Sequence, residues 1–469
     1  MDPGQFDLVV VANRLPVDAV IDDDGAVAWR RSPGGLVAAL EPALGSHSGA
    51  WVGWPGAADL DLEPFDADGI ATVPVPVSES EVAEYYEGFS NATIWPLYHD
   101  VITPPESHRE WAEAYRTVNR RFAIAAARAA APGATVWIHD YQLQLVPRML
   151  RSLRPDVRVG FFLHIPFPGV DLFSQLPWRK EILEGVLGAD LIGFQRAADA
   201  SNFRRAVRRL TGLPTHGTTI LATSPSAPPR AVRALPFPIS IDFDAIDATA
   251  RREDIQQRAL AIREELGNPD VVFLGADRLD YTKGIRHRLK AFGELVASGD
   301  LTVPGAILVQ VASPTRDNVV AYQELRDEVD TTVGRINGDF GTLTQVAVQY
   351  LHQAQPFEEM VALYLAADVV LVTALRDGMN LVAKEYVAAC WDHGGVLVLS
   401  EFAGAADELS QAIIVNPHDI DAMKESILRA ANMPATERRR RMRALRRRVK
   451  DRDVAYWASS FLGALEETP

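Results

Sequence analysis

Short apolar runs alternate with stretches of helical period along nearly the whole chain, the pattern expected of parallel α/β sheets. In the first half the runs at 8–12, 135–138, 158–164 and 190–194 predict strands, and 107–131 and 143–153 carry helical spacing. The pattern restarts at 270–275, 306–312, 368–373, 396–399 and 412–415. Between the two sets, Ser224-Pro225-Ser226-Ala227-Pro228-Pro229 and then Pro236-Phe237-Pro238 interrupt it, which places a hinge at about residue 238.

A chain of 469 residues exceeds the roughly 250–300 at which a single core stops growing. Two doubly wound, Rossmann-like α/β domains are therefore expected, 1–238 and 239–453, facing each other across a cleft, with ligands at the C-terminal ends of the strands. A closing helix at about 454–469 is expected to pack back on the first domain.

Composition narrows the function classes. A formal net charge of -15 argues against a nucleic-acid partner, which needs a basic footprint. The basic run 438–450 lacks interleaved aromatics and reads as a solvated helix face. No apolar run reaches the roughly 18 residues of a membrane span, and the acidic N-terminus is not a signal peptide. The only cysteine, Cys390, excludes an internal disulfide and a cysteine-built metal cluster; it reads as a small core residue. The chain is expected to be cytoplasmic, with no membrane partner; a homo-oligomer is allowed.

Candidate chemistry concentrates at strand ends. Arg376-Asp377-Gly378-Met379-Asn380-Leu381-Val382-Ala383-Lys384-Glu385 follows a buried-strand run and opens a helical pattern extending to Trp391. A helix start there offers backbone N–H groups and partial positive charge to a phosphate. Two carboxylates beside such a site, Asp377 and Glu385, suit hydroxyl groups of a ribose or sugar; a plain strand-to-helix connection explains the stretch equally well. Arg278 and Lys283 are two cations on another strand-to-helix turn, within Asp277-Arg278-Leu279-Asp280-Tyr281-Thr282-Lys283-Gly284, and Arg316 follows a third strand. Such cations suit a leaving diphosphate. Arg14 ends the first strand, and Gly34-Gly35 lets backbone approach a phosphate closely. Asp140 and His164 stand at two further strand ends, and Tyr86 and Trp95 could stack on a sugar. Asp22-Asp23-Asp24 reads as a polar hairpin turn rather than a metal site, and Arg335-Ile336-Asn337-Gly338 with Gly341 as a turn without chemistry.

The segments NRLPV, SPGGL, YYEGFSNATIWP, WIHDYQL, GFFLHIPFP, DRLDYTKG, SPTR, GRINGDFG, RDGMNLVAKEYVA and VLSEFAGAADEL run from Asn13 to Leu409. In order and spacing they resemble the trehalose-6-phosphate synthase family, retaining glycosyltransferases of the two-Rossmann-domain (GT-B) type. The resemblance implies transfer of glucose from a nucleoside-diphosphate glucose, UDP-glucose expected, to glucose 6-phosphate, without cofactor or metal. It implies that Gly34 and Gly35 close over the donor and that Arg278 and Lys283 hold its diphosphate. The N–H groups around Leu381 and Val382 complete the cradle. Glu385 takes the ribose and Asp377 hydroxyls of the transferred glucose, and Gly378, Met379 and Asn380 belong to the same donor site. Arg14, Tyr86, Trp95, Asp140 and Arg316 form the acceptor site, with Arg14 and Arg316 on its phosphate; His164 lies near the moving sugar. The base contact after Tyr350-Leu351, in His352-Gln353-Ala354-Gln355-Pro356-Phe357, stays unassigned, as does the choice among UDP, ADP and GDP. No nucleophilic-aspartate phosphatase motif is found, so the phosphate is expected to stay on the product. A relative with another acceptor, such as a glucosylglycerol-phosphate synthase or a pseudo-glycosyltransferase, is the nearest alternative. A non-catalytic sugar-phosphate sensor is the alternative from another class.

Overall fold

A computed structural model describes residues 4–21, 27–31, 40, 44, 48–101, 105–224, 227–316 and 319–468. The chain divides into two compact units, Met1–Ile239 with Ala455–Pro469, and Ser240–Val454. Both are built on the same plan, a parallel sheet flanked by helices.

The sheet of the first unit has ten strands among the described residues. Its parallel core runs Ile70–Pro74, Gly49–Trp54, Phe6–Arg14, Ala130–His139, Arg158–Leu163, Leu191–Phe194, Ala227–Pro236. Read in chain order this is a doubly wound sheet whose direction of winding reverses between Phe6–Arg14 and Ala130–His139. The sheet of the second unit has six strands, ordered Val348–Leu351, Ala306–Ser313, Val271–Arg278, Val369–Val372, Val396–Ser400, Ile413–Val415. Winding reverses here between Val271–Arg278 and Val369–Val372. Chains diverge to opposite faces at such a reversal, leaving a crevice at the strands' C-terminal ends.

The strands predicted from apolar runs are all present. Ile70–Pro74 and Val348–Leu351 were missed and are short and mostly half-buried; Gly49–Trp54 was missed although it is buried from Ala50 to Trp54. The first stretch of the expected proline-rich break is corrected, while the chain is irregular from 237 to 242 and the units divide at Ile239. Ala227–Pro236 is a strand, paired antiparallel to Thr219–Ser224 and parallel to Leu191–Phe194. Its prolines stand at the two ends, so the N–H groups of the middle residues stay available to the ladder. The turn expected at 335–341 is corrected as well, because Val320–Phe340 is one helix whose buried stripe, Val329, Val333 and Ile336, carries through it. Asn337 acts like a strand edge: its Nδ2 donates to Val348 O (2.9 Å) and its Oδ1 accepts from Val348 N (2.8 Å).

The closing helix, Val454–Glu466, packs on the first sheet through rings. Phe461 stacks on Trp137 at 4.6 Å and 8°, and Trp457 lies 5.0 Å from the same ring. Gly160 and Gly193 leave the room, since a Cβ at either would lie 2.7–2.8 Å from Phe461. The basic run lies in the helix Ala435–Asp451, with Arg439, Arg440, Arg443 and Arg447 exposed as expected. Arg446 is the exception, buried against the carbonyls of Val387 and Ala388 and the carboxylate of Asp247. There it answers the negative end of the helix Leu381–Ala389. Cys390 is buried, and burial pushes its thiol up to about 12. No helix among the described residues is long and apolar enough to cross a membrane.

Candidate functional site

In the second unit two loops meet at the winding reversal. One follows Val271–Arg278 and makes a short turn, Tyr281–Lys283, before the helix Ile285–Ala297. Gly284 joins them at φ +67°, and a Cβ there would lie 2.0 Å from Thr373 O, so the position needs glycine twice over. The other loop follows Val369–Val372 and ends at Asn380 (φ 91°), whose Oδ1 caps Ala383 N at 3.1 Å and starts the helix Leu381–Ala389. Lys283 and Asp377 bridge the loops: Nζ to Oδ2 is 2.6 Å, with both side chains nearly buried. Asn380 Nδ2 donates to the same carboxylate oxygen at 3.2 Å. Asp377 is itself held by backbone, its N–H donating to Phe402 O (3.1 Å) and its carbonyl accepting from Gly404 N (3.2 Å).

Beneath the pair lies Asp280, a residue of the quoted motif to which the sequence assigned no role. It is fully buried, caps the turn through Thr282 N (2.9 Å) and Thr282 Oγ1 (2.7 Å), and accepts from Tyr322 OH (3.0 Å) and Arg316 Nη1 (3.1 Å). Burial pushes its carboxyl up, but Arg316, Arg278 and Lys283 together outweigh burial and hold it well below the usual carboxylate range. One buried carboxylate thus ties together the three cations expected from sequence. Arg278 itself is exposed at the strand's tip, whereas the side chain of Arg316 is packed against Asp280 and Tyr322.

Glu385 lies one turn into the helix, where Tyr364 OH donates to its Oε2 at 2.8 Å. Burial raises its carboxyl above the ordinary value, and the Tyr364 hydrogen bond partly offsets this. Nothing in the local sequence marks Tyr364, which comes from a neighbouring helix. Gly378 and Met379 are buried in the loop, with Met379 O accepting from Ala405 N (2.9 Å), while Leu381 and Val382 open the helix half-buried.

In the first unit the expected residues again gather at the reversal. Arg14 ends its strand with its guanidinium 4.7 Å over the Trp54 ring and its Nη2 2.8 Å from Asp18. Trp54 meets Tyr86 edge-on at 5.8 Å, so Arg14, Trp54 and Tyr86 form one surface. Tyr86 lies on a widely wound helix, Val82–Ile94, of π type. Trp95 is buried, 5.6 Å from Tyr141. Asp140 sits at φ 74° directly after Ala130–His139, and its Oδ1 accepts from His164 N at 3.2 Å. The His164 ring contacts His139 (Nε2 to Nδ1, 3.1 Å), and burial pushes its pKa down to about 3. Trp54 and Asp18 were not singled out from sequence, because each falls in a run without a motif of its own; His139 lies in WIHDYQL but was given no role. Gly34 and Gly35, and Asp22–Asp24, lie outside the described residues.

These arrangements can do complementary chemistry. The second unit presents two cations and a helix start to an anion, with two carboxylates for hydroxyls. The first presents an arginine over aromatic rings with a neutral histidine and an aspartate.

A family model described as glycosyltransferase family 20 matches residues 6–467. The trehalose-6-phosphate synthase of Mycobacterium avium (strain 104) is 57% identical over 473 residues, covering 99% of this chain and 96% of that protein. That of Mycolicibacterium smegmatis is 56% identical over 469 residues, covering 99% and 93%. Among solved structures, the E. coli trehalose-6-phosphate protein bound with UDP-2-fluoro glucose superposes with a TM-score of 0.89 at 34% identity, covering 98% of this chain and 99% of that one. The α,α-trehalose-phosphate synthase (UDP-forming) of Burkholderia xenovorans in complex with glucose-6-phosphate gives 0.88 at 33%, covering 98% and 99%.

Proposed function

The chain belongs to glycosyltransferase family 20, and from that premise we infer that it is a trehalose-6-phosphate synthase. It moves glucose from a nucleoside-diphosphate glucose to glucose 6-phosphate with retention at the anomeric carbon. The observation that carries this reading is the Lys283–Asp377 pair, 2.6 Å long, at the winding reversal of the second sheet. It sets a phosphate-binding cation and a hydroxyl-binding carboxylate in contact where a Rossmann-like sheet takes its ligand.

In this reading Arg278 and Lys283 hold the donor's diphosphate with the N–H groups at Leu381 and Val382, and Gly34 and Gly35 are further donor-binding residues. Glu385, steered by Tyr364, takes the ribose. Asp377 holds hydroxyls of the glucose, and Gly378, Met379 and Asn380 line the same donor site. Arg14, Tyr86, Trp95 and Asp140 receive glucose 6-phosphate, and Arg316 adds a second charge on its phosphate. The related structures with UDP-2-fluoro glucose and with glucose-6-phosphate support the two substrates.

Retention follows from front-face attack. The acceptor's anomeric hydroxyl attacks C1 of glucose on the side from which the diphosphate departs, and its proton passes to a departing phosphate oxygen. Charge builds on that diphosphate as the bond breaks, and Lys283, held by Asp377, answers it together with Arg278. Asp377 is committed to Lys283 and Asn380, so it orients sugar hydroxyls and does not serve as a nucleophile. His164 is neutral near pH 7 and acts as a hydrogen-bonding group.

The test is to mix the protein with glucose 6-phosphate and UDP-, ADP- or GDP-glucose in turn and identify the product by NMR. An α,α-linked disaccharide phosphate is expected; absence of turnover with every donor would sink the reading. Turnover with glycerol 3-phosphate instead would transfer it to the alternative acceptor.

A further inference from the structure

His139 and His164 stand at the ends of neighbouring parallel strands, with His139 paired to Phe162 across the ladder. The His139 ring is fully buried, and its Nδ1 lies 3.1 Å from His164 Nε2. Its other nitrogen, Nε2, has no hydrogen-bond partner among the described residues, and the same holds for Nε1 of Trp137 and Nε1 of Trp457. These three rings pack together. Trp137 lies 4.7 Å from His139 and 5.0 Å from Trp457, and Trp457 lies 6.4 Å from His139. Phe162, edge-on to Trp457 at 5.1 Å, adds a further wall. The closing helix Val454–Glu466 therefore supplies one side of a cage around His139.

An aromatic cage offers no counter-charge, and burial, followed by the neighbouring His164, pushes His139 well below its ordinary value. Both rings are neutral near pH 7, so each carries one N–H. Two arrangements satisfy the contact between them. If His164 donates through Nε2, His139 must keep its proton on its own Nε2. The cage then holds three N–H groups and no acceptor. If His139 donates through Nδ1, its Nε2 is a lone pair among two indole donors, and His164 carries its proton on Nδ1. The second arrangement leaves fewer buried donors unanswered, and unanswered donors keep their full desolvation penalty.

We infer that His139 is a positioning residue: it donates to His164 and fixes it as the Nδ1–H tautomer, a hydrogen-bond donor toward the transferred sugar. The sugar-facing part rests on the proposed function, with His164 near that sugar as the family resemblance implies. Neither ring takes up the reaction's proton. Their role is to keep one N–H aimed and one lone pair occupied while the diphosphate leaves.

The full chain labelled with ¹⁵N-histidine tests this directly, because two-bond ¹H–¹⁵N correlations separate the two neutral tautomers. His164→Gln identifies the His164 signals. At pH 7.5 both His139 and His164 are expected as Nδ1–H forms. His139→Asn keeps an N–H near the Nδ1 position and should hold kcat within about threefold, whereas His139→Phe removes it and should lower kcat by about tenfold or more with both KM values little changed. An Nε2–H form of His164 in the unaltered protein overturns the inference whether or not either variant folds. Native kcat in His139→Phe, where His164→Gln lowers kcat, overturns it too. Native kcat in His164→Gln overturns only the sugar-facing part and leaves the tautomer assignment standing, so failure of the functional reading is distinguishable.

Discussion

Lys283 Nζ and Asp377 Oδ2 lie 2.6 Å apart although 94 residues separate them in the chain. The contact exists because two neighbouring strands of the second sheet end side by side with their helices on opposite faces. Neither loop holds its side chain alone. Asp280 anchors the turn that carries Lys283, and the backbone of Phe402 and Gly404 anchors Asp377.

Lys283→Ala removes a fixed cation from the departing diphosphate. kcat is expected to fall on the order of 10²–10³ with the fold retained, measured by initial rates alongside circular dichroism. A loss below about tenfold would remove Lys283 from charge stabilisation.

Gly284→Ala tests the junction between the two loops. At φ +67°, with Thr373 O only 2.0 Å from the added Cβ, the backbone has to move. A loss of roughly 2–4 kcal/mol in urea unfolding is expected, together with loss of turnover. Near-native stability would show that the turn tolerates a side chain.

Arg316→Ala separates two roles. As a ligand to the acceptor's phosphate, Arg316 should raise the KM for glucose 6-phosphate about tenfold or more when removed, with the donor KM much less affected. As a partner of buried Asp280 alone, its loss should lower stability by about 3–5 kcal/mol and alter both KM values equally. Its packing against Asp280 and Tyr322 makes a stability loss expected in either case, so the KM comparison decides.

His139 and His164 predict acid sensitivity with a defined sign. Below about pH 6.5 the unfolded chain takes up protons on both rings, while the folded chain resists, His164 down to about 3. Their stabilising contribution is complete above about 6.5 and is lost as pH falls toward the folded values, at up to about 1.4 kcal/mol per pH unit per ring. Urea midpoints between pH 8 and 5 should drop more steeply for the unaltered protein than for His164→Gln. Parallel profiles would contradict the assignment.

The apolar runs that became inner strands were legible because a parallel strand buried on both faces is written as an uninterrupted hydrophobic stretch. The strand ends of those same runs carried most of the candidate residues, which is why Arg14, Asp140, His164, Arg278 and Asp377 could be proposed without coordinates. Ala227–Pro236 was misread because its prolines mark its two ends while its middle pairs normally. The 335–341 segment was misread because Gly338 and Gly341 looked like punctuation, although the stripe through Val333 and Ile336 continues the helix. Asp280, Tyr364, Trp54 and His139 were not assigned roles because each acts through a partner distant in sequence, and no local period encodes that. The Arg316–Asp280 contact belongs to the same class.

The account divides substrate binding between Lys283 in the second unit and Arg14 in the first, and calorimetric titration of nucleoside diphosphate tests that division most directly. UDP and ADP are titrated in turn into the unaltered protein, Lys283→Ala and Arg14→Ala. At least one should bind the unaltered protein, lose tenfold or more in affinity, or about 1.4 kcal/mol, in Lys283→Ala, and stay within about twofold in Arg14→Ala. Loss of nucleotide binding in Arg14→Ala with none in Lys283→Ala would contradict the account.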